Sequence, residues 1–201
     1  MPQIRRRVFI VGIIKSINKE FHFPSPTHAP AVNKDFLIES KLRPYITVGE
    51  ALQGLGEPSK KIDGYIPENS HVDVTPDGDR YRINGVPEGS YLAAQTHLPI
   101  EQRCNLTKKD TTKFRRLSSS EPSNTLRCGE IFFHPHDNRY LTPREYMRLH
   151  GYPDEYVLRG PIRGRSGQAR FLDQHRQVAN SVPPPVARVL GEALLEVISD
   201  T

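Results

Sequence analysis

The chain has 201 residues, 28 of them basic and 23 acidic, for a net charge of +5. That length supports one or two small domains with a real core, and the charge suits a polyanionic partner or simply a solvated basic surface. Two cysteines make no disulfide framework and fit a reducing cytoplasm, and no apolar run approaches roughly 18 residues, so a soluble cytoplasmic protein is expected.

Near the start, Val8 to Ile14 (VFIVGII) is a continuous apolar run bounded by charge. Its β-branched content favours a strand covered on both faces, as in a parallel sheet, with a buried helical turn as the alternative. From Phe23 to Arg43 proline punctuates the chain, which reads as a connector. Thr47 with Glu50 three residues on is a capping-box pattern, so a short helix should follow and stop near Gly54 or Gly56. Residues 57–125 are polar and irregular, with turn signals at Pro76-Asp77-Gly78 and Asn84-Gly85, and predict short strands and loops.

Thr142-Pro143-Arg144-Glu145 is a second capping box, with proline at the first helical position, and predicts a helix to about His150 that ends at Gly151. The final helix should begin within prolines 183–185. Val186, Val189, Leu190, Ala193, Leu194 and Val197 form one apolar stripe along it, with Arg188, Glu192 and Glu196 away from the stripe. Cys104 and Cys128 read as ordinary thiols, and His134-Pro135-His136 is a weak metal signal without further ligands at suitable spacing.

Three blocks carry a family resemblance. They are Pro2-Gln3-Ile4-Arg5-Arg6-Arg7 with its apolar run, RYLTPREYMRLHGYPD (139–154) and QVANSVPP (177–184). In this order they resemble the eighth, ninth and tenth sequence blocks of DNA (cytosine-5) methyltransferases. Ala179 stands where that family usually has glycine. FRRLSSSEPSNTL (114–126) is similar to the end of the family's target-recognition region. The family's cofactor-binding glycine loop, Pro-Cys nucleophile and Glu-Asn-Val block have no counterpart in the sequence.

The resemblance implies a mixed α/β fold. It would be the C-terminal portion of an S-adenosylmethionine-dependent methyltransferase sheet domain plus a small, irregular, β-rich target-recognition domain. Residues 1–22 would belong to the cofactor domain, 23–155 to the recognition domain with the ninth block, and 156–201 to the return segment and final helix. Family chemistry adds a thiolate to carbon 6 of a flipped cytosine, so that carbon 5 can take the methyl group of S-adenosylmethionine. Arg5 and Arg7 match positions whose guanidinium groups lie near the flipped base, where a fixed cation can stabilise developing charge. Asn180, Ser181 and Val182 match the turn beside the cofactor's methionine portion. Gln3, Arg115, Arg116, Thr125, Leu126 and Arg127 are the implied DNA contacts, while Arg144 and Glu145 read as tether and cap.

The implied partners are double-stranded DNA and a second polypeptide bearing the N-terminal blocks, as in split members of the family. A bacterial source and a restriction system are also implied. Two alternatives stand beside this reading: a non-catalytic sequence-specific DNA-binding module, and the remnant of an interrupted methyltransferase gene.

Overall fold

The structure, a computed structural model, describes residues 1–31, 34–60, 67–95, 98–103, 114–163 and 172–199. Its elements in chain order are β1 (His28–Ala29), α1 (Lys34–Ser40), β2 (Arg43–Pro44), α2 (Val48–Leu52), β3 (Ser59–Lys60), β4 (Val72–Asp73), α3 (Asp77–Ile83), α4 (Pro143–His150), α5 (Gln174–Asn180) and α6 (Pro184–Ser199). β1 pairs with β2 and β3 with β4, each in parallel. The fold is mixed α/β, with short strands and much irregular chain.

Both capping boxes form. Thr47 Oγ1 accepts from the Glu50 amide and Glu50 accepts from the Thr47 amide; Thr142 and Glu145 repeat the exchange on α4. Each box satisfies donors that a helix start leaves unpaired. α4 closes on Gly151 at φ 83°, a conformation glycine adopts without steric penalty.

α4 is the centre of the molecule, because every residue from Pro143 to His150 except Arg148 is buried. Tyr146, Met147 and Leu149 join Val48 of α2, Val178 and Ala179 of α5, and Leu117, Leu126, Phe132 and Leu141 in one core. The charges on α4 enter that core in company. Arg139 makes a two-pronged ion pair with Glu145 at 2.8 and 2.9 Å. Arg144, 2% exposed, donates to the carbonyls of Asn69, Pro153 and Tyr156, as expected for a tether. A smaller cluster of Ile83, Val86, Leu92, Phe133 and Tyr140 lies beneath α3.

Several expectations change. Val8 to Ile14 is not a paired strand, and Val8, Ile10 and Ile14 are 87%, 93% and 68% exposed. Apolar character alone cannot make a strand, since the backbone needs a neighbour to bond. The segment read as a connector holds β1 and α1. Pro76-Asp77-Gly78 begins α3 rather than making a simple turn. Pro76 occupies the cap, and Asp77 and Asp79 favour the positive end of the helix dipole. Asn84-Gly85 is a turn, with Gly85 at φ 73°. α5 had no place in the sequence reading, although Asp173 caps it by accepting from the Arg176 amide at 2.9 Å.

α6 begins in the proline run, as expected. Val197 is buried, Val186, Leu190, Ala193 and Leu194 are half-buried, and Val189 is exposed. Arg188, Glu192 and Glu196 face solvent. The stripe is therefore only partly covered by this chain.

Candidate nucleic-acid interface

Three distant segments meet in one cleft of about 750 Å³, lined by residues 4–7, 124–128 and 179–180. Pairing between the first two segments sets its floor. The Ile4 amide donates to the Ser123 carbonyl at 2.8 Å, the Ser123 amide to the Pro2 carbonyl at 2.9 Å, and Thr125 Oγ1 to the Ile4 carbonyl at 2.7 Å. The third segment is the end of α5. Arg5 ties it in by donating to the Leu126 and Ala179 carbonyls at 3.3 and 2.9 Å.

Arg5, Arg6, Arg7 and Arg127 line the cleft, and no Asp or Glu does. A concave wall of one charge sign concentrates field and favours an anion. Burial, with Arg7 beside it, pulls the Arg5 guanidinium below its usual pKa. Arg6, Arg7 and Arg127 are exposed, so their charges are available to a ligand.

The expected site residues divide into two groups. Arg5, Arg7, Thr125, Leu126, Arg127 and Asn180 share the cleft wall. Arg5 spends two donors on carbonyls and so acts as a tie as well as a charge; Arg7 bonds the neighbouring Arg6 carbonyl at 2.6 Å. Leu126 is 1% exposed and belongs to the core, so its side chain is not offered to DNA. Ser181 and Val182 follow Asn180 on the turn after α5, Val182 at 55% exposure.

Other expected contacts are turned elsewhere. Gln3 is buried, and its amide meets His150 Nδ1 at 3.1 Å, so it is a packing and positioning group rather than a DNA contact. Arg116 is 4% exposed. It donates to the carbonyls of Ile83, His134, Pro135 and Asp137 and to Asn138 Oδ1, so burial removes it from the phosphate-binding set. Arg115 stacks over Tyr91, 5.0 Å from the ring centroid, and donates to the Tyr91 hydroxyl at 2.9 Å.

The cleft also holds residues to which the sequence by itself assigns no role at a site. Arg6 and Asn124 line it, and Cys128 lies with its Sγ 2.7 Å from Asn180 Oδ1. Arg6 sits between the two family-matched arginines, and Cys128 reads in sequence as an ordinary thiol. Cys104 lies outside the described residues. Among the described residues, no group of three His, Cys, Asp or Glu could hold a metal, and no helix is long and apolar enough to cross a membrane.

Residues 1–196 match the C-5 cytosine-specific DNA methylase family, and the chain belongs to that family. It is 27% identical over 204 residues to the type II methyltransferase M.NgoFVII of Neisseria gonorrhoeae, covering 100% of this chain and 48% of that protein. It is 28% identical over 201 residues to M.BbvI of Brevibacillus brevis, covering 98% of this chain and 46% of that protein. A 66-residue stretch is 42% identical to DNA (cytosine-5)-methyltransferase 3 of Arabidopsis thaliana, covering 33% of this chain and 4% of that protein. The chain thus spans about half the length of the bacterial relatives it matches.

Proposed function

We propose that this chain is the DNA-gripping, cofactor-site-completing part of a DNA (cytosine-5) methyltransferase. The whole enzyme would transfer a methyl group from S-adenosylmethionine to carbon 5 of cytosine in duplex DNA. One observation carries the reading: the family's eighth block, the end of its recognition region and its tenth block converge on a cleft that holds four arginines and no carboxylate.

Within that reading, each group has a share. Arg127 and Arg6 hold phosphate, and Thr125 stands beside the extruded base. Arg7, with charge still available, stabilises negative charge building on the ring, while Arg5 fixes the geometry of the pocket wall. The turn Asn180-Ser181-Val182 fits one edge of the cofactor, because an exposed amide and an exposed apolar side chain stand two residues apart on it. S-adenosylmethionine, when bound, supplies the methyl group. The nucleophilic thiolate belongs to a segment this sequence does not contain, because neither Cys104 nor Cys128 follows proline.

That missing segment, with the rest of the sheet, is the proposed partner. It would cover the bare run from Val8 to Ile14 and the open side of the α6 stripe. Fully burying one Val, Leu or Ile side chain stabilises by roughly 1.5–3 kcal/mol, so even partial cover gives a substantial drive to associate. A cytoplasmic bacterial restriction–modification setting agrees with the type II names of the relatives.

The test is to purify the chain with the polypeptide segment that carries the Pro-Cys and glycine-loop blocks at its own locus, and to follow methyl label from cofactor into duplex DNA. Transfer by the combination and none by the chain alone is expected. Transfer by the chain alone would overturn the division of labour. Tight, sequence-specific duplex binding that is indifferent to cofactor and second segment would favour a non-catalytic binding module.

A further inference from the structure

We propose that His150 is a positioning residue for the cofactor-side turn: as a neutral imidazole it holds the Ser181 carbonyl on one nitrogen and the Gln3 amide on the other. The proposal rests on the reading given above and deepens it.

The geometry joins three parts of the chain at one ring. His150 is the last residue of α4 and is fully buried. Its Nε2 lies 3.1 Å from the Ser181 carbonyl, and its Nδ1 lies 3.1 Å from Gln3 Nε2, 147 residues away in sequence. A carbonyl only accepts and an amide nitrogen only donates. Both bonds form together when Nε2 carries the proton and Nδ1 is bare. Tyr152 stacks on the ring, with centroids 6.1 Å apart and planes 20° apart, and fixes its tilt.

The turn after α5 is then held at two carbonyls from two directions. Arg5 takes the Ala179 carbonyl and His150 takes the Ser181 carbonyl. Asn180 lies between these anchors, exposed, with its Oδ1 at the Cys128 thiol. The Ser181 amide and hydroxyl both donate to the Val178 carbonyl, at 3.1 and 2.8 Å, so the two outer anchors set where the turn sits rather than whether it forms. The neutral form suits its surroundings. Burial lowers the His150 pKa to about 4; the bond to the Ser181 carbonyl pulls the other way, and the charges of Arg5 and Arg7 add to the lowering. Protonation would place an N–H against the Gln3 donor and require that amide to turn over. Gln3 Oε1, buried and without a hydrogen-bond partner, is the atom that would then face the ring.

Two substitutions separate the bonds. His150→Asn keeps an acceptor near Gln3 and loses the reach to Ser181. His150→Gln carries an amide donor out toward Ser181. In the reconstituted two-segment enzyme, His150→Asn is expected to raise the KM for S-adenosylmethionine about tenfold with kcat within about twofold, the size of one lost hydrogen bond, while His150→Gln recovers most of the loss.

A second readout needs no activity. Nitrogen-15 spectra of this chain alone should show His150 as the Nε2–H tautomer, staying neutral well below the ordinary histidine range. Unchanged KM in His150→Asn, or a fall in melting temperature with no change in KM, would overturn the proposal. So would an imidazole that titrates in the ordinary range. If the wild-type combination transfers no methyl group, the broader reading fails, and the tautomer spectrum on the single chain still decides the role of His150. If His150→Asn does not fold, the wild-type spectrum and the His150→Gln kinetics decide it.

Discussion

The helix α4 and the segment Val8 to Ile14 invert the usual rule in opposite directions. α4 takes Arg144 and Glu145 into the interior, while the early segment leaves Val8, Ile10 and Ile14 in water. The first arrangement is stable because every buried charge finds a partner: Glu145 on Arg139, and Arg144 on three carbonyls. Burying a charge is costly only when it is unpaired. The second arrangement has no such internal remedy, because an apolar side chain is satisfied only by another surface. The buried charges of α4 are satisfied within this chain, and the apolar side chains of Val8, Ile10 and Ile14 are not. Under the proposed function, that difference is where a further layer would dock.

Four measurements test this contrast, taken from the largest expected effect downward. Arg139→Ala strands Glu145 at 2% exposure, and breaking such a buried pair costs about 3–5 kcal/mol. Urea unfolding should show a midpoint collapse; a loss under about 1 kcal/mol would mean the pair contributes little to the core. Gly151→Ala comes next. Its Cβ would meet the Pro185 ring at 2.7 Å, at a φ of 83° that alanine resists. A loss of about 1–3 kcal/mol is expected, seen as a lower melting temperature and a displaced start of α6.

Acid tests the same core through its histidines. His150 stays neutral in the fold to about 4, because burial disfavours its charged form, and burial lowers His134 and His175 likewise. The unfolded chain takes up protons at these residues near the ordinary value of about 6.5, before the fold does. Stability should therefore fall as pH drops from about 6.5 toward 4, and His150→Phe should make that decline shallower. A pH-independent unfolding curve over that window would contradict the buried neutral rings.

The smallest effect sharpens the other half of the contrast. Ile10→Ser, at a residue 93% exposed, should leave the stability of this chain within about 0.5 kcal/mol. The same change should weaken association with the segment proposed to cover it. Strong destabilisation of the isolated chain would show that the run is already packed from within.

What was legible in the sequence was local. The two capping boxes are i, i+3 patterns, and both formed as written because the bonds close within one turn of the residues that specify them. The stop at Gly151 and the start of α6 in the proline run are of the same kind. The family resemblance also points to part of the cleft, since Arg5, Thr125 and Asn180 lie in the segments that carry it. Arg144 as tether and Glu145 as cap followed from the same block.

Only the tertiary structure decided which way those side chains turned. Adjacent arginines 115 and 116 look alike in sequence, yet one stacks over Tyr91 and the other disappears among four carbonyls. Gln3 turned from DNA to His150, a partner 147 residues distant, and α5 gathered its meaning from a core built by α2 and α4. Short-range hydrogen bonds are fixed by spacing along the chain, so sequence determines them. Burial and long-range partners depend on which surfaces meet, and among the described residues no surface meets Val8, Ile10 or Ile14, which stay exposed.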